Sequence, residues 1–183
     1  GIGRVRVLGN AGTAAPLHDA GIEVIGPSAR AEGVEAVYTG WHREFCFHDL
    51  EAAVRDIWAG AWPVTASHVP FFATQDGRGL GTSFPMNVVI RAWTGKLPKI
   101  LGKPSRECFF TALRLMGLPR SAAPDVVVVG DDPMLEMRMA NRVGAKLPAL
   151  PIDGMDVWAL IVQEPGAKNP HEGYGSCYAQ NEL

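Results

Sequence analysis

The sequence predicts an α/β fold of parallel strands joined by helical crossovers, and three observations predict it. Short β-branched runs alternate with segments whose apolar residues recur at helical spacing. Glycines stand where these helical segments should stop, at Gly21, Gly60 and Gly95, as C-terminal glycines do. Finally, Val126 to Val129 is an unbroken apolar run, the pattern of a strand buried on both faces at the centre of a parallel sheet.

Taken in order, the first strand is the alternating stretch Gly1-Ile2-Gly3-Arg4-Val5-Arg6-Val7-Leu8. Gly9-Asn10-Ala11-Gly12 turns it into a short helix over Thr13 to Ala20, which Gly21 ends. Ile22 to Ile25 is the second strand, Gly26-Pro27-Ser28 a surface turn, and Val34 to Thr39 the third strand. A helix begins near Phe47-His48-Asp49, with Asp49 as its expected cap and Leu50, Val54, Ile57 and Trp58 on one face. Pro63 to Ser67 and Phe71 to Thr74 have strand character. Gly77-Arg78-Gly79-Leu80-Gly81 reads as a flexible loop before an amphipathic helix over Phe84 to Thr94. The rhythm then runs strand (Lys99 to Leu101), helix (Ser105 to Met116), strand (Val126 to Val129) and helix (Pro133 to Val143). The tail breaks it. Leu147-Pro148-Ala149-Leu150-Pro151 carries two prolines, which a regular central strand does not accept, and Asn169 to Ser176 has loop composition.

Bulk properties exclude several functions. The 183 residues are 47% hydrophobic and 20% charged, with a net charge of −2. That balance suits a globular protein and leaves no footprint for nucleic acid or an anionic membrane. No apolar stretch nears the roughly 18 residues of a membrane span, and no basic region followed by an apolar one opens the chain. Cys46, Cys108 and Cys177 are far apart, so neither a disulfide framework nor a zinc site is indicated. His42, Cys46 and His48 cluster near Phe45 and Phe47, at spacings that suit neither zinc nor a catalytic dyad. A cytoplasmic, reducing location is expected.

Two segments carry chemistry. In Gly102-Lys103-Pro104-Ser105 an ammonium stands at the mouth of a helix, where unpaired N–H groups and the helix dipole favour an anion. Ser105 could cap that helix or donate to a phosphate oxygen. The tetrapeptide alone also fits a plain turn with a solvated lysine. In Val129-Gly130-Asp131-Asp132-Pro133-Met134-Leu135-Glu136, Asp131 and Asp132 follow a strand end, the position where α/β sheets bind ligands. Glu136 in the next helix can turn back to the same place. Such oxygens suit magnesium, which takes one or two carboxylates and keeps its waters. They equally suit helix capping by Asp131 or Asp132, with Glu136 completing a capping box. Because the segments lie on consecutive βα units, both belong to one sheet edge. Thr74-Gln75-Asp76-Gly77 is a polar turn that could face a ligand, and Gly9-Asn10-Ala11-Gly12 is a weak echo of a dinucleotide turn without the GxGxxG spacing.

With these residues in view, the sequence resembles the haloacid dehalogenase (HAD)-like superfamily. Gly102-Lys103-Pro104-Ser105, then Val128-Val129-Gly130-Asp131-Asp132 and Glu136, is similar to that family's third and fourth motifs. Phe72-Ala73-Thr74-Gln75-Asp76, a helix, Thr94-Gly95 and Gly-Lys-Pro resemble the class IIA, NagD-like or p-nitrophenyl phosphatase type, where an Ala-Thr-Asn-x-Asp turn in a mobile cap precedes the lysine motif. The opening strand, Leu8-Gly9-Asn10 and Gly21-Ile22-Glu23 resemble the start of that cap, so the likeness covers about residues 1 to 145.

The resemblance implies a partial Rossmannoid parallel core plus an α/β cap, with the cap over about residues 1–97. The C-terminal half of the core then covers 98–183, its atypical tail starting near 146. It implies a Mg²⁺-dependent phosphatase acting on small phosphate esters through an aspartyl-phosphate. Lys103 would neutralise the phosphoryl group. Asp131 would bind Mg²⁺ with Glu136, which stands where the family more often has aspartate, and Asp132 would be an outer or alternative ligand. Thr74, Gln75 and Asp76 would face the leaving group from the cap, with Ser105 as a further phosphate donor. The partner expected is a small phosphorylated metabolite, not nucleic acid or membrane.

The departures are equally informative. The family's nucleophile motif, Asp-x-Asp-Gly-Thr, comes before the cap, yet no Asp-x-Asp occurs in these residues. The Thr or Ser of the second motif would also lie upstream, and Thr65 and Ser67 are poor substitutes. A chain lacking its N-terminal portion and inactive alone is therefore expected. The alternative is a non-catalytic module that binds metal or phosphate, or pairs with another chain. Half a parallel core would expose a sheet edge, which makes homo-oligomerisation one expectation.

Overall fold

A computed structural model describes residues 1–75, 77–130 and 132–147. The predictions for Asp76, Asp131 and the tail from 148 lie outside the described residues. The principal sheet has five strands, all parallel: β1 (Arg4–Leu8), β2 (Glu23–Ile25), β3 (Ala36–Thr39), β4 (Trp62–Thr65) and β7 (Lys99–Ile100), in the order β2-β1-β3-β4-β7. Its helices are α1 (Ala11–Asp19), α2 (Phe47–Trp58) and α3 (Ser83–Thr94). An antiparallel hairpin, β5 (Phe71–Thr74) with β6 (Gly77–Leu80), stands between β4 and α3. After β7 come α4 (Arg106–Leu115), a 3₁₀ segment over Arg120–Asp125, a π-helical turn over Pro133–Met137 and α5 (Arg138–Val143). β7 joins the sheet by pairing with β4.

Strand alternation decides which layer covers which face. Val5, Val7 and Ala36 point to one side and pack with Leu17 of α1, Ile22, Val24 and Tyr38. Leu8 and Val37 point to the other and join Leu50, Ala53, Val54 and Ile57 of α2 with Met86 and Ile90 of α3. Burial on that second face pushes nothing aside for Arg6, which is only 2% exposed. Its Nε sits 2.5 Å from Asp56 Oδ2 of α2, and its Nη1 donates to the carbonyls of Gly26, Pro27 and Ala29 at 2.9, 3.0 and 2.8 Å. A single guanidinium fastens the surface turn after β2 to the helix beneath the sheet. At the start of β1, Glu35 accepts the N–H groups of Gly3 and Arg4, which hold its carboxyl below the usual carboxylate range.

Four expectations need correction. The four-valine run is not a central strand. Val127 makes an isolated parallel bridge to Lys146, and Val127 and Val129 are 52% and 71% exposed, while Val126 and Val128 pack with Phe109, Leu113, Ala123 and Met139. A valine run becomes a central strand only between two partner strands, and among the described residues it has one bridge. Second, residues 77–80 form a strand rather than a loop. Their glycines leave room for the facing side chains, since a Cβ on Gly79 would lie 2.7 Å from Thr74 Cγ2 and 2.8 Å from Phe72 Cε2. Third, Trp58 is 66% exposed, because at about 100° per residue it drifts to the rim of the stripe set by Leu50, Val54 and Ile57. Asp49 is also not the cap of α2. Cys46 holds that position, and Asp49 reaches back to accept its N–H at 2.9 Å.

The order 2-1-3 places the topological switch point between β1 and β3, where a doubly wound sheet opens a crevice for a ligand. Here it is filled. Thr13 of α1 wedges into it, so that a Cβ on Gly9 or Gly40 would lie 2.7 or 2.5 Å from the threonine side chain. Asn10, whose side chain caps α1 through Thr13 N at 3.0 Å, ties its own N–H to Trp41 O across the gap. The Gly9 to Gly12 turn therefore serves packing, not a dinucleotide.

Candidate phosphate and metal site

The lysine segment is placed by β4. Leu101 N donates to Thr65 O at 2.9 Å and Gly102 N to Ala66 O at 3.1 Å. A Cβ on Gly102 would lie 2.2 Å from Ala66 O, so the backbone can come this close only with glycine there. Ser105 then starts α4 as its N-cap. Its Oγ accepts from Cys108 N at 3.1 Å and donates to Leu101 O at 2.6 Å. The hydroxyl that could have met a phosphate instead braces the turn that carries Lys103.

The acidic segment approaches from the other side. Asp132 Oδ1 accepts the N–H groups of Met134 and Leu135 at 2.7 and 3.2 Å, the capping role that its position also allowed. Glu136 is 8% exposed and pairs through Oε1 with Lys103 Nζ. Its other oxygen, Oε2, is buried and accepts no hydrogen bond among the described residues. Gly130 makes this placement feasible, because a Cβ there would lie 2.2 Å from Glu136 Cγ. Arg142 Nη1 donates to Pro104 O at 2.9 Å and locks the two segments together from α5.

The structure thus brings Lys103 and Glu136 together and leaves Asp132 beside them as a cap. Thr74 and Gln75 sit at the tip of the hairpin, with Thr74 Oγ1 donating to Gly77 O at 3.1 Å. No group of three His, Cys, Asp or Glu side chains that could hold a metal occurs among the described residues. A buried, unbonded carboxylate oxygen is nonetheless the chemistry a hard cation takes, since Mg²⁺ needs only one or two carboxylates. Among the described residues Glu136 has that chemistry.

Sequence reasoning missed the polar knot behind the lysine segment. Asn87, fully buried on α3, donates through Nδ2 to Thr65 Oγ1 at 3.0 Å and Ser67 O at 2.9 Å, and accepts from Thr39 Oγ1 at 2.6 Å. It fixes the turn after β4 on which Gly102 hangs. The available signal was an asparagine between Met86 and Ile90 on the apolar face of an amphipathic helix. Asn87→Ala is expected to cost about 2–3 kcal/mol, because Thr39 Oγ1 loses its short acceptor while Thr65 Oγ1 and Ser67 O each lose a donor in a buried site, and urea unfolding measures it. A loss below about 0.5 kcal/mol would show that water replaces the amide.

Comparisons with known proteins show what the chain is similar to. The HAD-hydrolase-like family model matches residues 100–149, the span that contains both chemical segments. A p-nitrophenyl phosphatase from Archaeoglobus fulgidus is 26% identical with a TM-score of 0.70, covering 80% of this chain and 53% of that one. A glycerol phosphate phosphatase from Mycobacterium tuberculosis, solved in complex with magnesium, is 25% identical with a TM-score of 0.71, covering 90% and 47%. A p-nitrophenyl phosphatase from Geobacillus stearothermophilus shares the fold at 20% identity, with a TM-score of 0.68 over 79% of this chain and 55% of that one. No curated protein matches the chain. Among the described residues no helix is long and apolar enough to cross a membrane. In its lysine and acidic segments the chain is similar to the HAD-like hydrolase family, and in its fold it is similar to solved p-nitrophenyl and glycerol phosphate phosphatases, of which it spans about half the length.

Proposed function

We propose that the chain is the cap and rear core of a Mg²⁺-dependent phosphatase for small phosphate esters, and that it supplies the electrostatic part of the site. The observation that carries this reading is the contact of Lys103 Nζ with Glu136, whose second oxygen is buried and unbonded. Lys103 would bind and orient the phosphoryl group and offset its charge. Glu136, with Asp131, would hold Mg²⁺, and the ion, when bound, would polarise the phosphoryl oxygens. Asp132 and Ser105 keep the two segments in register through their caps. Thr74, Gln75 and Asp76 would meet the leaving group from the hairpin. The domain division near residue 97, the small phosphorylated partner and a cytoplasmic location belong to the same proposal.

Hydrolysis by way of an aspartyl-phosphate needs an Asp-x-Asp nucleophile, and these 183 residues contain none. A second reading, resting on the same Lys103–Glu136 contact, is a module that binds metal and phosphate without turnover. One pair of assays tests both. The purified chain is expected not to hydrolyse p-nitrophenyl phosphate, while calorimetry detects Mg²⁺ and phosphate binding that Lys103→Ala and Glu136→Gln weaken. Turnover abolished by Lys103→Ala would overturn the claim of inactivity, and no binding of either ion would overturn the site.

A further inference from the structure

A cavity of about 330 Å³ lies beside α3, lined by His68, Val88, Arg91 and Ala92. This is the low end of the range for small-molecule sites. Among the described residues no carboxylate lines it. The guanidinium of Arg91 takes part in no ion pair or hydrogen bond among the described residues, whereas that of Arg6 is fully engaged.

The histidine is oriented by the same knot that holds the lysine segment. The carbonyl of Ser67 accepts only, so the atom of Asn87 facing it at 2.9 Å is the amide nitrogen. Thr39 Oγ1 donates to the amide oxygen at 2.6 Å, which leaves the side chain no freedom to flip. The two hydrogens of that nitrogen go to Thr65 Oγ1 and Ser67 O, and the same nitrogen lies 3.3 Å from His68 Nδ1, a contact that places the ring. Phe84 flanks the imidazole with ring centroids 5.0 Å apart. His68 brings its imidazole to the cavity, and Arg91 brings a planar fork of donors suited to carboxylate or phosphate. Val88 and Ala92 offer a short apolar wall.

We propose that this cavity is a subsite for a small oxyanion, a phosphate or carboxylate, held between the His68 imidazole and the Arg91 guanidinium. It is separate from the Lys103–Glu136 site and stands on different residues. If the anion belongs to a substrate, that substrate carries a second acidic group besides the one processed.

The test titrates the 183-residue chain with inorganic phosphate and, separately, with malonate, following the His68 imidazole and Arg91 Nε resonances. Saturable shifts of both residues are expected with at least one probe, and the probe that saturates at the lower concentration identifies the group preferred. Arg91→Ala should weaken the His68 response by about tenfold or more, since a charge-assisted contact is lost. Lys103→Ala should leave it unchanged. The proposal is overturned if neither probe moves His68 and Arg91, if Arg91→Ala leaves the His68 response intact, or if Lys103→Ala removes it. Arg91 is exposed, so its variant folds, and Arg91→Lys serves as a check on charge alone. A lysine variant that binds as tightly as the parent would overturn the forked recognition.

Discussion

Replacing Arg6 with alanine is expected to lower the free energy of unfolding by about 3–5 kcal/mol, the range found when one partner of a buried ion pair is removed. The loss has two sources. Asp56 would remain against the sheet as a carboxylate without its cation, and the carbonyls of Gly26, Pro27 and Ala29 would lose their shared donor. The carbonyls lie in a surface turn that water reaches, so most of the cost falls on Asp56. A double variant, Arg6→Met with Asp56→Leu, is therefore expected to recover much of the loss, because it leaves no unpaired charge. Arg6→Lys is not expected to rescue, since one ammonium does not span the carboxylate and three carbonyls together. Urea unfolding gives each value as a midpoint change at unchanged slope. Equal losses for Arg6→Ala and the double variant would show that the turn, rather than the buried charge, governs stability.

The second large effect is expected at Gly130. An alanine there would put its Cβ 2.2 Å from Glu136 Cγ and 2.6 Å from its Cβ. These atoms belong to the buried stem of the side chain, so the helix turn carrying them must move. Overpacking of this kind costs about 1–3 kcal/mol. Under the proposed function the larger consequence is to Mg²⁺ affinity, which should fall about 10- to 100-fold, as when groups supporting a metal ligand are disturbed. Calorimetry with Mg²⁺ and a thermal melt separate the two effects. An alanine variant that binds Mg²⁺ like the parent would show that Glu136 is not the ligand. The opposite pattern, binding lost while the melting temperature stays within about a degree, would place the effect at the site itself rather than in the fold.

Both predictions rest on residues whose importance is invisible one at a time. Arg6 stands in an alternating strand where every second residue is apolar, and the pattern would send it to solvent. Only the sheet being covered on both faces turns that position inward, and only Asp56, fifty positions away in sequence, makes burial tolerable. Gly130 reads as an ordinary turn glycine, and its role emerges from the distance to Glu136.

The local signals settled a good deal. Glycine stops, the apolar periodicity of Leu50, Val54 and Ile57, and the Ser105 cap locate helices from spacing alone, because a helix end and a buried stripe are decided within a few residues. The order of Gly102-Lys103-Pro104-Ser105 before Gly130 to Glu136 likewise pointed to one site on one edge. What the tertiary structure decided is which polar groups meet. Asp132 and Ser105 are engaged as caps, Asn87 gathers Thr39, Thr65, Ser67 and His68, and Lys103 finds Glu136 rather than open solvent. The valine run shows the same limit from the apolar side: composition sets the tendency to form a strand, but a strand exists only where a neighbour supplies the hydrogen bonds. Chemistry-bearing residue types are written in the chain, while their partners are fixed by long-range packing that no local pattern encodes.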